Sequence, residues 1–144
     1  MIRFWDTSAL VKRYDARESH HLRVLSLLEG SEGRKAKHVT SMLVAVELVA
    51  VLARTTKNKQ LVASARGQLD AFVQLELNEK SRDLALRIAE GGKSRGADAT
   101  IVAQMLLVAE AAEAPIQFVT ADVEQSRLVS KAQRKNVQLL LLAD

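Results

Sequence analysis

The stretch Ile2-Arg3-Phe4-Trp5-Asp6-Thr7-Ser8-Ala9-Leu10 decides the fold, because a short apolar run stops there on an aspartate. The residues up to Trp5 favour a β-strand and those from Ala9 onward favour a helix, which places Asp6 at a strand-to-helix junction. In open α/β sheets, ligands bind at such junctions. Asp6 could cap the helix or bind a metal ion, and its position alone does not separate the two roles.

Length and composition predict one domain over residues 1–144. The chain has 48% hydrophobic residues, one proline and no cysteine, and 144 residues suffice to bury a core. The lack of cysteine excludes disulfides, thiol catalysis and cysteine metal sites, and it agrees with a reducing compartment. Neither a signal-peptide pattern nor an apolar run long enough to span a bilayer is present, so we expect a cytoplasmic protein without membrane contact.

The charge of the chain favours an anionic partner. A formal net charge of +4 and a pI near 9.6 suit nucleic acid, although a merely soluble basic surface explains the charge equally well. With only 3% aromatic residues, RNA would be held through its phosphates more than by stacked bases. Basic residues that could guide phosphates, although such residues are more often ordinary solvated charges, are Lys12, Arg13, Arg17, Lys57, Lys59 and Arg95.

Apolar runs alternate with helical patterns along the chain. Strands are predicted at 2–5, 38–40, 73–77, 116–120 and 137–142, the last being continuously apolar and therefore expected to be buried on both faces. Ser19 is expected to cap a helix over 20–28, and 31–37 to form a polar turn. Further helices are predicted at 60–72, 79–90, 95–112 and 122–135, which together indicate a parallel sheet covered by helices on both sides.

The helix predicted over 41–54 carries apolar residues on every side, with Glu47 as its only charge before Arg54. A helix without a polar face is expected to be buried, and Glu47 with it. An ionised carboxylate in such a place needs a cation, a proton or strong donors. The alternative to a functional role is a salt bridge with a nearby arginine.

The residues Gly91-Gly92-Lys93-Ser94 look like half of a phosphate-binding loop. The P-loop pattern requires a glycine where this chain has Arg87, and it requires a strand immediately upstream. Neither condition holds, so Gly91 is interpreted as the left-handed cap of the preceding helix.

Two more acids, Asp98 and Asp122, stand at predicted helix starts, where capping is again the alternative role. Together with Asp6 and Glu47 they form the type of carboxylate set that holds Mg²⁺ or Mn²⁺ during phosphodiester hydrolysis. Two such ions can activate water and stabilise the leaving oxygen without histidine or cysteine.

Four blocks of sequence carry the four acids. The blocks are Asp6-Thr7-Ser8-Ala9-Leu10, Ser41 with Glu47-Leu48, Gly96-Ala97-Asp98-Ala99 and Thr120-Ala121-Asp122. In order and spacing these blocks resemble the acidic signature of PIN-domain nucleases, and most of all of VapC-type toxins. The resemblance covers the whole chain.

This resemblance implies a five-stranded parallel sheet in which the first and fourth strands are adjacent at the centre. It implies that Asp6, Glu47, Asp98 and Asp122 bind metal, with Glu124 as a possible fifth acid or simply a favourable charge in a helix first turn. Thr7 or Ser8, and Thr120, would support them through hydroxyl hydrogen bonds. It also implies RNA cleavage with Mg²⁺ or Mn²⁺, a homodimer, and inhibition by an antitoxin that often places a basic side chain in the acidic pocket.

Two alternative functions stay open at this point. One is a housekeeping RNA-processing nuclease that has no antitoxin. The other is a non-catalytic RNA-binding or signalling α/β module, but a phospho-acceptor receiver would need an acidic pair where this chain has only Asp6, and an aspartate where Asn78 stands.

Overall fold

Each predicted strand appears in the computed structural model, which describes residues 1–144. The strands are β1 (Ile2–Trp5), β2 (Lys37–Ser41), β3 (Val73–Leu75), β4 (Ile116–Thr120) and β5 (Val137–Leu141). The helices are α1 (Thr7–Tyr14), α2 (His21–Glu29), α3 (Ser31–Lys35), α4 (Met42–Thr56), α5 (Lys59–Leu69), α6 (Glu79–Glu90), α7 (Gly96–Ala111) and α8 (Val123–Ala132).

The five strands form one parallel sheet in the order β3-β2-β1-β4-β5. Phe4 of β1 lies beside Val39 on one side and Phe118 on the other. The prediction that the first and fourth strands are adjacent at the centre is therefore confirmed. The chain moves outward from β1 in one direction to β3 and then returns to the other side for β4, so a topological switch point lies between β1 and β4.

Both faces of the two central strands are covered. Successive strand side chains point to opposite faces, yet Phe4 and Trp5 are fully buried, as are Phe118 and Val119. The Phe4 and Phe118 rings pack with centroids 6.0 Å apart. The α/β fold with helices on both faces of the sheet is thus confirmed.

The edge strands differ from the prediction. β5 is not buried on both faces, since Leu139 and Leu141 are each 38% exposed. The reason is position, because β5 has a neighbour only on its β4 side. At the opposite edge β3 ends at Leu75 instead of continuing to Leu77, which is 55% exposed.

Two local predictions near the second helix are wrong. Ser19 does not cap α2; its hydroxyl lies 3.3 Å from the Lys12 ammonium, and His20 takes the N-cap position at a φ of 64°. The segment expected to be a polar turn forms α3 instead. A Cβ on Gly33 would lie 2.5 Å from the Leu27 carbonyl, so only glycine permits this close approach to the end of α2.

The expectation that α4 is buried on every side is also wrong. Val44, Leu48 and Leu52 face the core, but Val46 is 69% exposed and Met42 is 43% exposed. The apolar composition of α4 therefore leaves an uncovered hydrophobic strip on the surface of this chain. No helix of the protein combines the length and the apolar character needed to cross a membrane.

Left-handed backbone occurs at positions other than the predicted one. Gly91 has a φ of −65°, and Gly92 carries the positive φ of 72°. α8 ends at Ala132, three residues earlier than predicted, because Gln133 adopts a φ of 49° and a ψ of 39°. An L-residue in this conformation brings its Cβ too close to the backbone carbonyl, and glycine avoids the strain.

Gln133→Gly should therefore stabilise the fold by about 1 kcal/mol, since Gln133 is exposed and its φ is positive. Urea denaturation of the full chain measures the change in the free energy of unfolding. Gln133→Ala is the matched control, because it removes the side chain beyond Cβ but keeps the Cβ that causes the strain. Equal stabilisation by both variants would contradict the explanation.

Candidate active site

Asp6 lies where β1 passes into α1, and it is only 5% exposed. Its Oδ1 accepts a hydrogen bond from the Thr7 amide at 2.7 Å, which makes it the N-cap of α1. Its Oδ2 accepts from the hydroxyls of Ser8 at 3.1 Å and Thr120 at 2.7 Å. The capping role therefore exists, but it occupies one oxygen. The other oxygen accepts from one hydroxyl in the first turn of α1 and from one at the end of β4.

The hydroxyls of Ser8 and Thr120 connect the carboxyl ends of β1 and β4. Their oxygens are 3.2 Å apart, and the Ser8 oxygen also accepts from the Ala121 amide at 2.9 Å. The Thr120 oxygen accepts from the Asp122 amide at 3.1 Å. This network fixes Asp6 and the backbone that carries Asp122 relative to each other.

Asp122 and Asp98 stand at the starts of α8 and α7. Asp122 is an N-cap whose Oδ1 accepts from the Glu124 amide at 2.9 Å and the Gln125 amide at 3.3 Å. Asp98 lies in the first turn of α7, where Arg95 occupies the cap position without a side-chain cap bond. The expected capping role is therefore present in Asp122 and absent in Asp98.

Glu47 projects from α4 and has no ionic partner. Its Oε1 is buried and accepts no hydrogen bond, and the predicted alternative of a salt bridge with an arginine does not form. Burial raises the pKa of Glu47 most, and the charges of Asp6 and Asp98 raise this pKa further. The Glu47 carboxylate is thus an unsatisfied acceptor among like charges.

The four predicted acids line one cavity of about 430 Å³, which we call the acid cavity. Burial raises the pKa of Asp6 and the charge of Asp98 adds to it, against hydrogen bonds from Thr120, Ser8 and Thr7 that lower it. Burial likewise raises the pKa of Asp98, and the charge of Asp122 raises it further while Arg95 lowers it. The residues lining the acid cavity are Asp6, Thr7, Ser8, Val11, Lys12, Glu18, Glu47, Val51, Arg95, Asp98, Ala121 and Asp122.

The carboxylates share a cavity without converging on one point. No group of three acidic or histidine side chains is close enough to hold a single ion as these side chains stand. Ionised carboxylates this close repel one another, and a divalent cation would offset this repulsion. The donor set fits such an ion, because it offers only hard oxygen ligands and includes the buried, unpaired Glu47 Oε1.

Glu124 lies outside the acid cavity, and Thr7 lies in it without supporting a carboxylate through its hydroxyl. The Glu124 carboxylate accepts from the Arg127 guanidinium at 2.5 Å and does not line the acid cavity. The Thr7 hydroxyl lines that cavity, but it has no hydrogen-bond partner, and only its amide bonds Asp6. Of the predicted supporting hydroxyls, those of Ser8 and Thr120 contact a carboxylate.

Lys12 is buried, whereas the sequence favoured a solvated surface charge at this position. It is 7% exposed and lines the acid cavity, with its ammonium 3.7 Å from Glu18. Its spacing of four residues from Ser8 places both on one face of α1, and that spacing is the signal that could have identified it. Arg95 also lines the cavity, whereas Arg13 and Arg17 form ion pairs with Glu29 and Asp15.

Neutralising one acid of the cavity should stabilise the metal-free protein. A raised folded-state pKa means that the ionised form is disfavoured on folding, so this cost is present at neutral pH and disappears as pH falls. Asp98→Asn and Glu47→Gln should each raise the melting temperature in EDTA at pH 7.5 by about 3 °C. Glu76→Gln, at an exposed loop position, is the control that should leave it unchanged. A lower melting temperature for both cavity variants would show that repulsion is not what these acids experience.

Comparison with known proteins agrees with this architecture. The family model described as PIN domain matches residues 3–131, whereas no curated protein matches the chain. The solved structure of VapBC-1 from nontypeable Haemophilus influenzae has a TM-score of 0.64 at 16% identity, covering 99% of this chain and 98% of that one.

Two further solved structures share the fold. The Mycobacterium tuberculosis toxin VapC20, which cleaves the sarcin-ricin loop, has a TM-score of 0.66 at 20% identity, covering 94% of this chain and 98% of that one. VapBC2 from Rickettsia felis, bound to a promoter DNA fragment, has a TM-score of 0.64 at 18% identity and 98% coverage of both chains. These identities show a common fold, and the family match over nearly the whole length goes further: the chain belongs to the PIN domain family.

Proposed function

We propose that this protein is a Mg²⁺- or Mn²⁺-dependent endoribonuclease and the toxin of a VapBC-type toxin-antitoxin pair. The observation that carries the proposal is the gathering of Asp6, Glu47, Asp98 and Asp122 around one cavity. These acids come from four separate elements, and Glu47 keeps a buried carboxylate oxygen without any partner. A fold has no stability reason to collect such charges, which favours a role in binding cations.

In this proposal the four acids hold the divalent metal. An ion held by these four carboxylates would lower the pKa of a bound water and would stabilise negative charge on the phosphate. Asp6 is held in one orientation by the hydroxyls of Ser8 and Thr120. Orientation of a ligand by such hydrogen bonds typically changes metal affinity or activity by about 10- to 100-fold.

The basic side chains of the cavity orient the substrate. Lys12 and Arg95 line the same cavity as the acids, and each can bind a non-bridging phosphate oxygen of RNA. The formal net charge of +4 adds a long-range attraction for RNA. The chain thus offers acids for the metal and cations for the phosphate at one place.

An antitoxin partner and a homodimer are part of the same proposal. The support is that structurally similar proteins include VapBC complexes from Haemophilus influenzae and Rickettsia felis. The exposed side chains of Met42 and Val46 on α4 leave hydrophobic surface for such a protein contact. Copurification of the chain with the product of a neighbouring reading frame tests the partner independently of cleavage.

Asp6→Asn and Asp98→Asn should each lower Mn²⁺-dependent cleavage of total RNA at least about 100-fold, because each change removes a metal-binding charge. The far-UV circular dichroism of both variants should stay that of the parent. EDTA should abolish cleavage by the parent chain, and Glu76→Gln should cleave at the parental rate. Cleavage that survives both aspartate changes would refute the assignment.

Thr120→Val should reduce cleavage by about 10-fold and raise the Mn²⁺ concentration needed for half-maximal rate, because it removes the donor to Asp6 Oδ2. Thr120→Ser keeps that donor and should restore both quantities. Thr120 is a positioning residue here, since it acts through Asp6. If Thr120→Ser were as impaired as Thr120→Val, the missing methyl group would be responsible and the hydrogen bond would not.

A further inference from the structure

A second cavity lies next to the acid cavity and is formed by the loop that resembles half of a P-loop. This flanking cavity has a volume of about 490 Å³ and shares Arg95, Asp98 and Asp122 with the acid cavity. Its other lining residues are Gly92, Lys93, Ser94, Glu124, Gln125 and Leu128. A ligand that occupies the acid cavity can therefore continue into the flanking cavity without leaving the surface.

The flanking cavity contains two cationic side chains without ionic partners. Lys93 and Arg95 are exposed, and neither side chain forms a salt bridge or a hydrogen bond with the rest of the chain. The acid Glu124 on the same cavity is already paired with Arg127. The remaining acids, Asp98 and Asp122, belong to the proposed metal set. An anion is therefore favoured at the Lys93 and Arg95 end.

The backbone at this end also favours an anion. α7 runs over 16 residues, and its cap residue Arg95 provides no side-chain acceptor for the first amides. The amides of an uncapped first turn and the helix dipole attract negative charge. A Cβ on Gly96 would meet no atom within 4 Å, so a ligand can approach this turn. The left-handed Gly92, at a φ of 72°, turns the chain from α6 into this loop.

Gln125 supplies an independent sign of a ligand. It is 1% exposed and lines the flanking cavity, and its amide nitrogen lies 3.4 Å from the Asp98 carbonyl oxygen. This contact leaves its Oε1 as a buried acceptor without a partner, and the Ser94 hydroxyl is buried and unpaired as well. A buried acceptor is stabilised by a donor, and the ribose 2′-hydroxyl is the donor that every RNA nucleotide carries.

We propose that the flanking cavity binds the RNA nucleotide next to the cleaved bond, with its phosphate on Lys93 and Arg95 and its 2′-hydroxyl on Gln125. This inference rests on the proposed ribonuclease function. The loop is not a nucleoside-triphosphate site, because it follows helix α6 instead of a strand. In this proposal the flanking cavity fixes the position of the RNA strand, so that the next phosphate along the RNA lies at the four acids.

Affinity for RNA tests the phosphate contact without cleavage. In an Asp6→Asn background with Mg²⁺, a fluorescent single-stranded RNA is titrated with and without Lys93→Gln over 50 to 200 mM salt. We expect Lys93→Gln to weaken binding about fivefold at low salt and to reduce the slope of log K against log salt by about 0.7. Lys35→Gln, which removes the same charge at the amino-end edge of the sheet, should change neither quantity. Equal binding of the Lys93 and Lys35 variants would overturn the inference.

Single 2′-deoxy substitutions test the hydroxyl contact. The two nucleotides that flank the cleaved bond on each side are replaced one at a time by their 2′-deoxy forms. The affinity for each RNA is measured with the Asp6→Asn protein and with the same protein that also carries Gln125→Met. The deoxy form should bind about threefold more weakly at one position, and Gln125→Met should remove that difference. A deoxy scan that Gln125→Met leaves unchanged would exclude the contact with the hydroxyl.

Failure of this inference differs from failure of the ribonuclease proposal. If the unmodified chain cleaves RNA with Mn²⁺ while Lys93→Gln has the parental KM and affinity, the flanking cavity is not a subsite and the function stands. If the unmodified chain neither binds nor cleaves RNA, both are refuted. A raised KM for Lys93→Gln with an unchanged kcat supports the subsite, since binding is then lost without loss of chemistry.

Discussion

Parallel pairing of β1 with β4 is the interaction on which the rest of this structure depends. The Asp6 amide donates to the Val119 carbonyl at 3.1 Å, so the pairing continues past the end of β1 and brings Asp6 to the end of β4. Thr120 then reaches Asp6 with its hydroxyl at 2.7 Å. Three of the four acids lie at this edge, because α1, α7 and α8 begin there with Asp6, Asp98 and Asp122 in or before the first turn, whereas Glu47 comes from α4.

Bringing the four acids of the site together is electrostatically unfavourable. Buried or half-buried carboxylates of like charge oppose folding, and the pKa of Asp6, Glu47 and Asp98 is raised by burial first and by neighbouring acids second. The hydrophobic core, in which Phe4, Trp5 and Phe118 are fully buried, supplies the stability that tolerates this arrangement. The core thereby offsets the local cost of lining one cavity with four acids.

The resemblance to PIN-domain nucleases implied the central pairing of β1 with β4. The sequence itself predicted a five-stranded parallel sheet, because its short apolar runs mark the strands, as the run that ends at Trp5 does. It predicted less well wherever a neighbour decides the outcome. The apolar run of β5 does not reveal that it lies at an edge, nor does the composition of α4 reveal that Val46 is exposed. From sequence alone Lys12 looks like a surface charge, and only the packing of α1 shows that it is buried. Gly92, and not Gly91, adopts the positive φ, because Gly91 still has helical φ and ψ. The four sequence motifs predicted which acids form the site, but only the structure shows that Glu47 Oε1 is buried without a partner.

A crystal structure of the full chain grown with Mn²⁺, with anomalous scattering recorded at the manganese edge, tests the central claim most directly. The account predicts an anomalous peak in the acid cavity, about 2.1 Å from carboxylate oxygens of the Asp6, Glu47, Asp98 and Asp122 set, with Glu47 Oε1 no longer unpaired. A map at saturating Mn²⁺ with no peak in that cavity, and with the four carboxylates still apart, would contradict it.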